Sequence, residues 1–152
     1  MKNHLGHSAE ERFWKYVQKT NSCWLWTGSL SPQGYGQFHL NGGPKLAHRI
    51  AYEWMVGPIP NGMDLDHVLA NGCTNRNCIK AISDEFGPAH LEAVSRYENI
   101  IRGTAPTAIN ARKTHCIRGH ELSGSNLINR TRKTRECKIC KQLTRKDKKS
   151  NV

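Results

Sequence analysis

Cys116-x3-His120-x16-Cys137-x2-Cys140 is a run of sulfur and imidazole ligands in two close pairs. At that spacing each pair forms one knuckle across a hairpin, and the four donors close a tetrahedron around zinc. Three more cysteines, Cys23, Cys73 and Cys78, lie upstream. Six cysteines with two well-placed histidines make two sites of three Cys and one His each. An even cysteine count also admits disulfides. However, the opening stretch, Met1 to Glu11, is polar and does not read as an export signal. No run is long enough to span a membrane. The chain is therefore expected in a reducing compartment, the cytoplasm. There, Cys-x2-Cys means metal more often than disulfide.

A second group of residues mixes carboxylate, imidazole and amide. Asp64-Leu65-Asp66-His67 reads as a short strand after the Pro60-Asn61-Gly62 turn. An irregular loop over 68–89 holds Cys73 and Cys78, and a strand runs from His90 to Val94. Ser95 then starts a helix carrying Tyr97, Asn99, Ile100 and Ile101, ended near Gly103. The intervals are His67-x5-Cys73-x4-Cys78-x11-His90-x8-Asn99.

A strand ending in Asp-His, a loop, a strand and a helix bearing Asn resembles the HNH (His-Me finger) endonucleases. The likeness is greatest to small phage HNH proteins and His-Cys box homing endonucleases. It extends over Cys23-Trp24-Leu25-Trp26-Thr27-Gly28, Gly34-Tyr35-Gly36, Ala47-His48-Arg49-Ile50-Ala51-Tyr52-Glu53 and Gly57-Pro58-Ile59-Pro60. It continues through Leu65-Asp66-His67, His90-Leu91-Glu92, Glu98-Asn99, Lys113-Thr114-His115-Cys116 and Gly119-His120. The Cys-to-Cys and His-to-Asn intervals match the compact family form. The other two are longer, as loop insertions would make them.

The resemblance implies phosphodiester hydrolysis in double-stranded DNA, leaving a 5′ phosphate and a 3′ hydroxyl. It makes His67 the general base that activates water, a task suited to a neutral imidazole. Asp66 and Asn99 become the ligands of a single catalytic Mg²⁺ or Mn²⁺, whose preference is for oxygen. It also implies a first structural zinc on Cys23, Cys73, Cys78 and His90. The alternative is that His90 binds the catalytic metal, but three cysteines would then lack a fourth partner. Asn75 and Asn77 are both candidates for the central Asn of the family motif.

The formal net charge is +11. Residues 1–99 hold nine Lys/Arg against nine Asp/Glu, and residues 100–152 hold fourteen against three, so all the excess lies in the last third. Cations there can displace counterions condensed on nucleic acid. Arg130, Arg132, Lys133 and Arg135 lie between the two ligand pairs of the second site, and Lys138 and Lys141 follow. Arg112 and Lys113 precede it and could reach a minor groove. Arg49 is a candidate contact to the scissile strand, with a salt bridge to Glu53 as the competing reading. Phe, Tyr and Trp are absent after residue 99, which argues against single-strand binding by base stacking.

These residues need a frame to hold them. Only 37% of the chain is hydrophobic, so a small fold of this kind needs a metal staple. Ser8 to Glu11 is a capping box opening a helix over about 9–19. A β segment starts at Cys23. A strand over 35–40 lies between turns at Pro32-Gln33-Gly34 and Asn41-Gly42-Gly43. A helix over 46–56 turns Ala47, Ile50, Ala51 and Trp54 to one face. Trp14, Trp24, Trp26 and Trp54 are expected in the core. Residues 141–152 read as a polar, charged tail.

The expected architecture is α+β: a ββα-metal nuclease domain with structural zinc over 1–103, a basic linker over 104–115, and a zinc-ribbon-like, DNA-binding module with a basic tail over 116–152. A monomer that nicks DNA is favoured over a homodimer. The rival reading is a non-catalytic zinc protein that binds DNA on the same scaffold.

Overall fold

The computed structural model describes residues 7–129 and 135–150, with side chains as far as residue 146. Contacts divide the chain into two units, Met1–Asn99 and Ile100–Val152. It is a mixed α+β protein built from four two-stranded sheets and five helices among the described residues.

In the first unit, α1 (Ala9–Trp14) opens on the expected capping box. Ser8 Oγ accepts from the Glu11 N–H at 3.1 Å, and the Ser8 N–H donates to Glu11 Oε2 at 2.7 Å. The helix stops five residues short of the expected end. Val17–Lys19 instead forms β1, paired antiparallel with β2 (Trp24–Trp26). Val17 fits either period, and the Thr20–Cys23 turn decides. Thr20 N–H donates to the Cys23 carbonyl at 2.9 Å, and Thr20 Oγ1 accepts from Cys23 N–H at 3.1 Å. That turn closes a hairpin and sends Trp24 and Trp26 inward.

β3 (Gln37–Leu40) and β4 (Gly43–Leu46) form a second hairpin, with Leu40 opposite Gly43. The two residues between them, Asn41 and Gly42, have φ of 53° and 85°, as the tightest hairpin turn requires. α2 (Ala47–Met55) follows at once. Phe13, Trp24, Trp26, Phe38, Ala47, Ile50, Ala51 and Ile79 make the core, with Trp14 packed at its edge. Trp54 stays 38% exposed, so it is a rim residue that touches Phe13 edge-on. Gly36 is required by packing, because a Cβ there would lie 2.6 Å from the Trp26 ring.

β5 (Met63–His67) pairs antiparallel with β6 (Leu91–Ser95), and α3 (Arg96–Arg102) continues directly from β6. The long loop between the strands is tied down. Cys78 bridges to Leu25, Trp26 N–H donates to the Asn77 carbonyl at 2.9 Å, and Ile79 N–H to the Trp24 carbonyl at 2.8 Å. Residues 77–79 thus lie along β2. Farther on, Lys80 is fully buried, with its ammonium 2.7 Å from Asp84 Oδ1.

In the second unit, the stretch expected as a linker carries a helix, α4 (Pro106–Arg112), opened by a proline in its first turn. β7 (Leu127–Asn129) pairs with β8 (Arg135–Cys137), and α5 (Lys138–Ser150) follows. The expected zinc ribbon would be all β. Here the second ligand pair stands where a strand runs into a helix, and much of the supposed tail is α5.

Candidate metal centres and a candidate active site

Cys23, Cys73, Cys78 and His90 converge, all buried, with their ligand atoms within 4.8 Å of one another. His90 Nδ1 lies 3.5 Å from both Cys23 Sγ and Cys78 Sγ. A zinc tetrahedron with bonds of about 2.0 Å to nitrogen and about 2.3 Å to sulfur has edges of roughly 3.5–3.8 Å. The donor set and its spacing therefore suit zinc. His90 is gathered with the three cysteines, as the four-ligand reading required. His90 immediately precedes β6, where its backbone N–H donates to the Lys80 carbonyl and its backbone carbonyl accepts from Val68 N–H. Asn75 Nδ2 donates to Cys23 Sγ at 3.5 Å, and Asn77 Nδ2 to the Trp26 carbonyl at 3.1 Å. One asparagine supports the cluster and the other braces β2.

Cys116, His120, Cys137 and Cys140 form the second cluster, more exposed than the first. Cys116 Sγ lies 3.6 Å from Cys140 Sγ and 3.5 Å from His120 Nδ1. A sulfur separation of 3.6 Å is far from the ~2.04 Å of a disulfide and near a tetrahedral edge. The knuckle closes through Gly119, whose N–H donates to the Cys116 carbonyl at 2.9 Å with φ of 78°. Cys137 ends β8, and Cys140 sits in the first turn of α5. The Cys140 backbone N–H holds the Cys137 thiol down at about 6, which favours the thiolate that a metal needs.

His67, at the end of β5, places Nε2 3.1 Å from the Cys78 carbonyl oxygen. A carbonyl only accepts, so Nε2 carries the proton and Nδ1 keeps its lone pair. Burial lowers the pKa of His67 below its ordinary value, while the Cys78 carbonyl and the Asp66 charge act the other way. The lowered pKa favours the neutral imidazole.

Asp66 shares with Asp64 one face of β5, and Glu92 of β6 stands directly opposite Asp66. Asn99 reaches this face from α3, and its Nδ2 donates to Asp64 Oδ2 at 3.1 Å. Arg96, one turn earlier, donates to the same oxygen at 3.0 Å. The Asn99 hydrogen bond, with Arg96 beside it, holds the Asp64 carboxyl below the usual carboxylate range.

Sequence reasoning missed several neighbours of these residues. Tyr35, His48 and His67 form a cluster of rings, with centroids 5.1 Å apart for the two histidines, 5.4 Å for Tyr35 and His48, and 5.9 Å for Tyr35 and His67. Exposed Arg76 lies over Tyr35 and donates to the Gln33 carbonyl. His48 is 5% exposed, and its buried Nδ1 has no hydrogen-bond partner. Burial, reinforced by His67 and Arg49, pulls its pKa down to about 3. The Ala47-His48-Arg49 motif carried a signal for His48. Asp64 could have been found from its two-residue offset from Asp66, and Arg96 from its three-residue offset from Asn99.

Arg49 is half-buried, and its charge bears on both His48 and Asp64; none of the described ion pairs joins it to Glu53. Of the remaining expected DNA contacts, Arg112 donates to the carbonyls of Ile101 and Gly103, and Lys113 to Asn110. Arg135 Nη1 lies within 2.9 Å of the carbonyls of Asn110, Ala111 and Lys113 at the end of α4. Lys141 pairs with Glu136 at 3.3 Å. Lys138 opens α5. Arg130, Arg132 and Lys133 lie outside the described residues.

No family model matches the chain, and no solved structure does either. Among curated proteins, the chain is similar to Protein 7.7 of Escherichia phage T7, at 38% identity over 56 residues. That stretch is 37% of this chain and 40% of the relative, so the chain spans well under half of the phage protein. No helix among the described residues is long and apolar enough to cross a membrane.

Proposed function

We propose that this protein is a metal-dependent endonuclease that hydrolyses phosphodiester bonds in double-stranded DNA. In this reading β5, β6 and α3 form a ββα-metal core of the HNH type, and both Cys3His clusters hold structural zinc. The observation that carries it is the contact of His67 Nε2 with the Cys78 carbonyl. It fixes the tautomer and leaves Nδ1 as a base, on the strand that also bears Asp66 and is joined to the helix of Asn99. His67 Nδ1 takes a proton from water, the water oxygen bonds to phosphorus, and the bond from phosphorus to the 3′ oxygen breaks, its electron pair staying on that oxygen, which takes a proton from solvent to become the 3′ hydroxyl.

The residues fit a hard divalent cation. Asp66 offers a carboxylate, with Glu92 opposite it across the sheet. Asn99 has its Nδ2 engaged by Asp64, so its oxygen is the end left to offer. Asp66 and Asn99 would hold Mg²⁺, which supplies charge stabilisation at the phosphate and the departing 3′ oxygen. Arg49 stands close enough to act on Asp64 and His48, and serves the scissile phosphate. The basic second unit, with its zinc-held knuckle and α5, binds the DNA backbone.

The test is cleavage of supercoiled plasmid by the zinc-loaded protein with Mg²⁺, beside His67→Ala and an EDTA control. Open-circle or linear product from the native protein alone supports the nuclease. Intact plasmid in every lane, with equal mobility shifts for the native protein and His67→Ala, would instead support a DNA-binding scaffold.

A further inference from the structure

We propose that Asp64 is a positioning residue, which fixes the amide of Asn99 so that Oδ1 is presented to the divalent cation, with Arg96 holding Asp64 in place. The proposal rests on the nuclease reading and names what that reading lacks, a reason for the amide to face one way.

A carboxylate is acceptor-only. The 3.1 Å contact between Asn99 and Asp64 Oδ2 is therefore made by Nδ2–H. Rotating the amide by half a turn would set Oδ1 against the carboxylate and lose the bond. One orientation remains, with Oδ1 turned away from Asp64. An amide free to rotate would present its N–H groups to a cation part of the time, which repels it.

Arg96 completes the arrangement. It lies one helical turn before Asn99 and donates to the same carboxylate oxygen at 3.0 Å. Two donors of α3 thus meet one acceptor of β5. Asp64 and Asp66 are two residues apart on that strand and project to the same side. The clamp delivers the amide to the strand face that carries Asp66. Partners of this kind, which orient a ligand without touching the ion, commonly set its affinity.

The test uses the full zinc-loaded chain and Mn²⁺ as probe, titrated by electron paramagnetic resonance and read beside thermal melting. Asp64→Asn and Asn99→Ala should each weaken Mn²⁺ binding by on the order of tenfold or more. The double variant should bind no more weakly than Asn99→Ala alone, because Asp64 acts only through Asn99. Arg96→Ala, at a side chain 76% exposed, keeps the fold and should fall between native and Asp64→Asn; it serves if Asp64→Asn does not fold. Native affinity in Asp64→Asn and Arg96→Ala, or additive losses in the double variant, would overturn the proposal and leave the nuclease reading standing. A native protein that binds no Mn²⁺ overturns both.

Discussion

His67 Nε2 lies 3.1 Å from the carbonyl oxygen of Cys78, a residue whose sulfur belongs to the first metal cluster. The proposed base is thus oriented by the backbone of a residue of the first Cys3His cluster. His67→Ala should remove most plasmid cleavage, by about 10²–10⁴-fold, while gel mobility shifts stay native. Cys78→Ser should lose cleavage together with zinc content and melting temperature, because it releases the loop that carries the carbonyl. Cleavage that persists in His67→Ala would remove the base from the mechanism.

His48 yields a separate expectation about stability. Its ring packs beside His67 and Tyr35, with Arg49 adjacent, and its Nδ1 is buried without a partner. An apolar ring of similar shape leaves no polar atom unmatched, so His48→Phe should melt at or above the native temperature. The pH dependence has a definite sign. The folded pKa, about 3, lies below the unfolded value of about 6.5. The unfolded chain therefore binds more protons between those values, and His48 makes stability fall as pH drops through that window. Subtracting the His48→Phe melting curve from the native curve over pH 4–7 isolates this slope from zinc loss. A flat difference would contradict the burial of a neutral imidazole.

What the sequence revealed follows from how local each constraint is. The four ligands of the second cluster sit in two close pairs, so spacing alone exposed them. Cys23 lies fifty residues before Cys73, and only resemblance could join them. The end of α1 was misplaced because Val17 satisfies a helical stripe and a strand equally; the Thr20–Cys23 turn, a three-dimensional contact, decides. α5 was hidden by its charge. Ile139 and Leu143, four apart, carry its apolar stripe, but the lysines around them read as a solvated tail. Asp64 stood in plain view beside Asp66, yet its role needs the position of Asn99 thirty-five residues on.

The two clusters should differ in how they release metal. All four ligands of the first are buried, whereas Cys116, His120 and Cys140 of the second are only half-buried. The protein should carry two zinc ions per chain and give up the second-cluster ion first to a chromogenic chelator. Cys140→Ser should retain one zinc and lose DNA affinity in mobility shifts, with the far-ultraviolet spectrum of the first unit largely kept. Release of both ions in one phase would show that the clusters are not independent.

The Lys80–Asp84 pair should be the costliest polar contact to break. Lys80 has no exposed surface, and its ammonium stands 2.7 Å from Asp84 Oδ1. Trp24 Nε1 donates to the other carboxylate oxygen at 2.9 Å, so Asp84 joins the loop to β2. Asp84→Ala leaves a buried cation unpaired, which is strongly destabilising. Lys80→Met keeps the volume and leaves behind only a carboxylate at the edge of the fold, 20% exposed, so it should cost less. The Lys80 ammonium beside it holds the Asp84 carboxyl below its ordinary value. Its contribution is therefore present above the unfolded carboxylate range and lost as pH falls through the lowered folded value. Urea titrations of the three proteins at neutral pH give the ranking. Equal destabilisation by the two substitutions would mean that the ammonium finds water or another acceptor when Asp84 is gone.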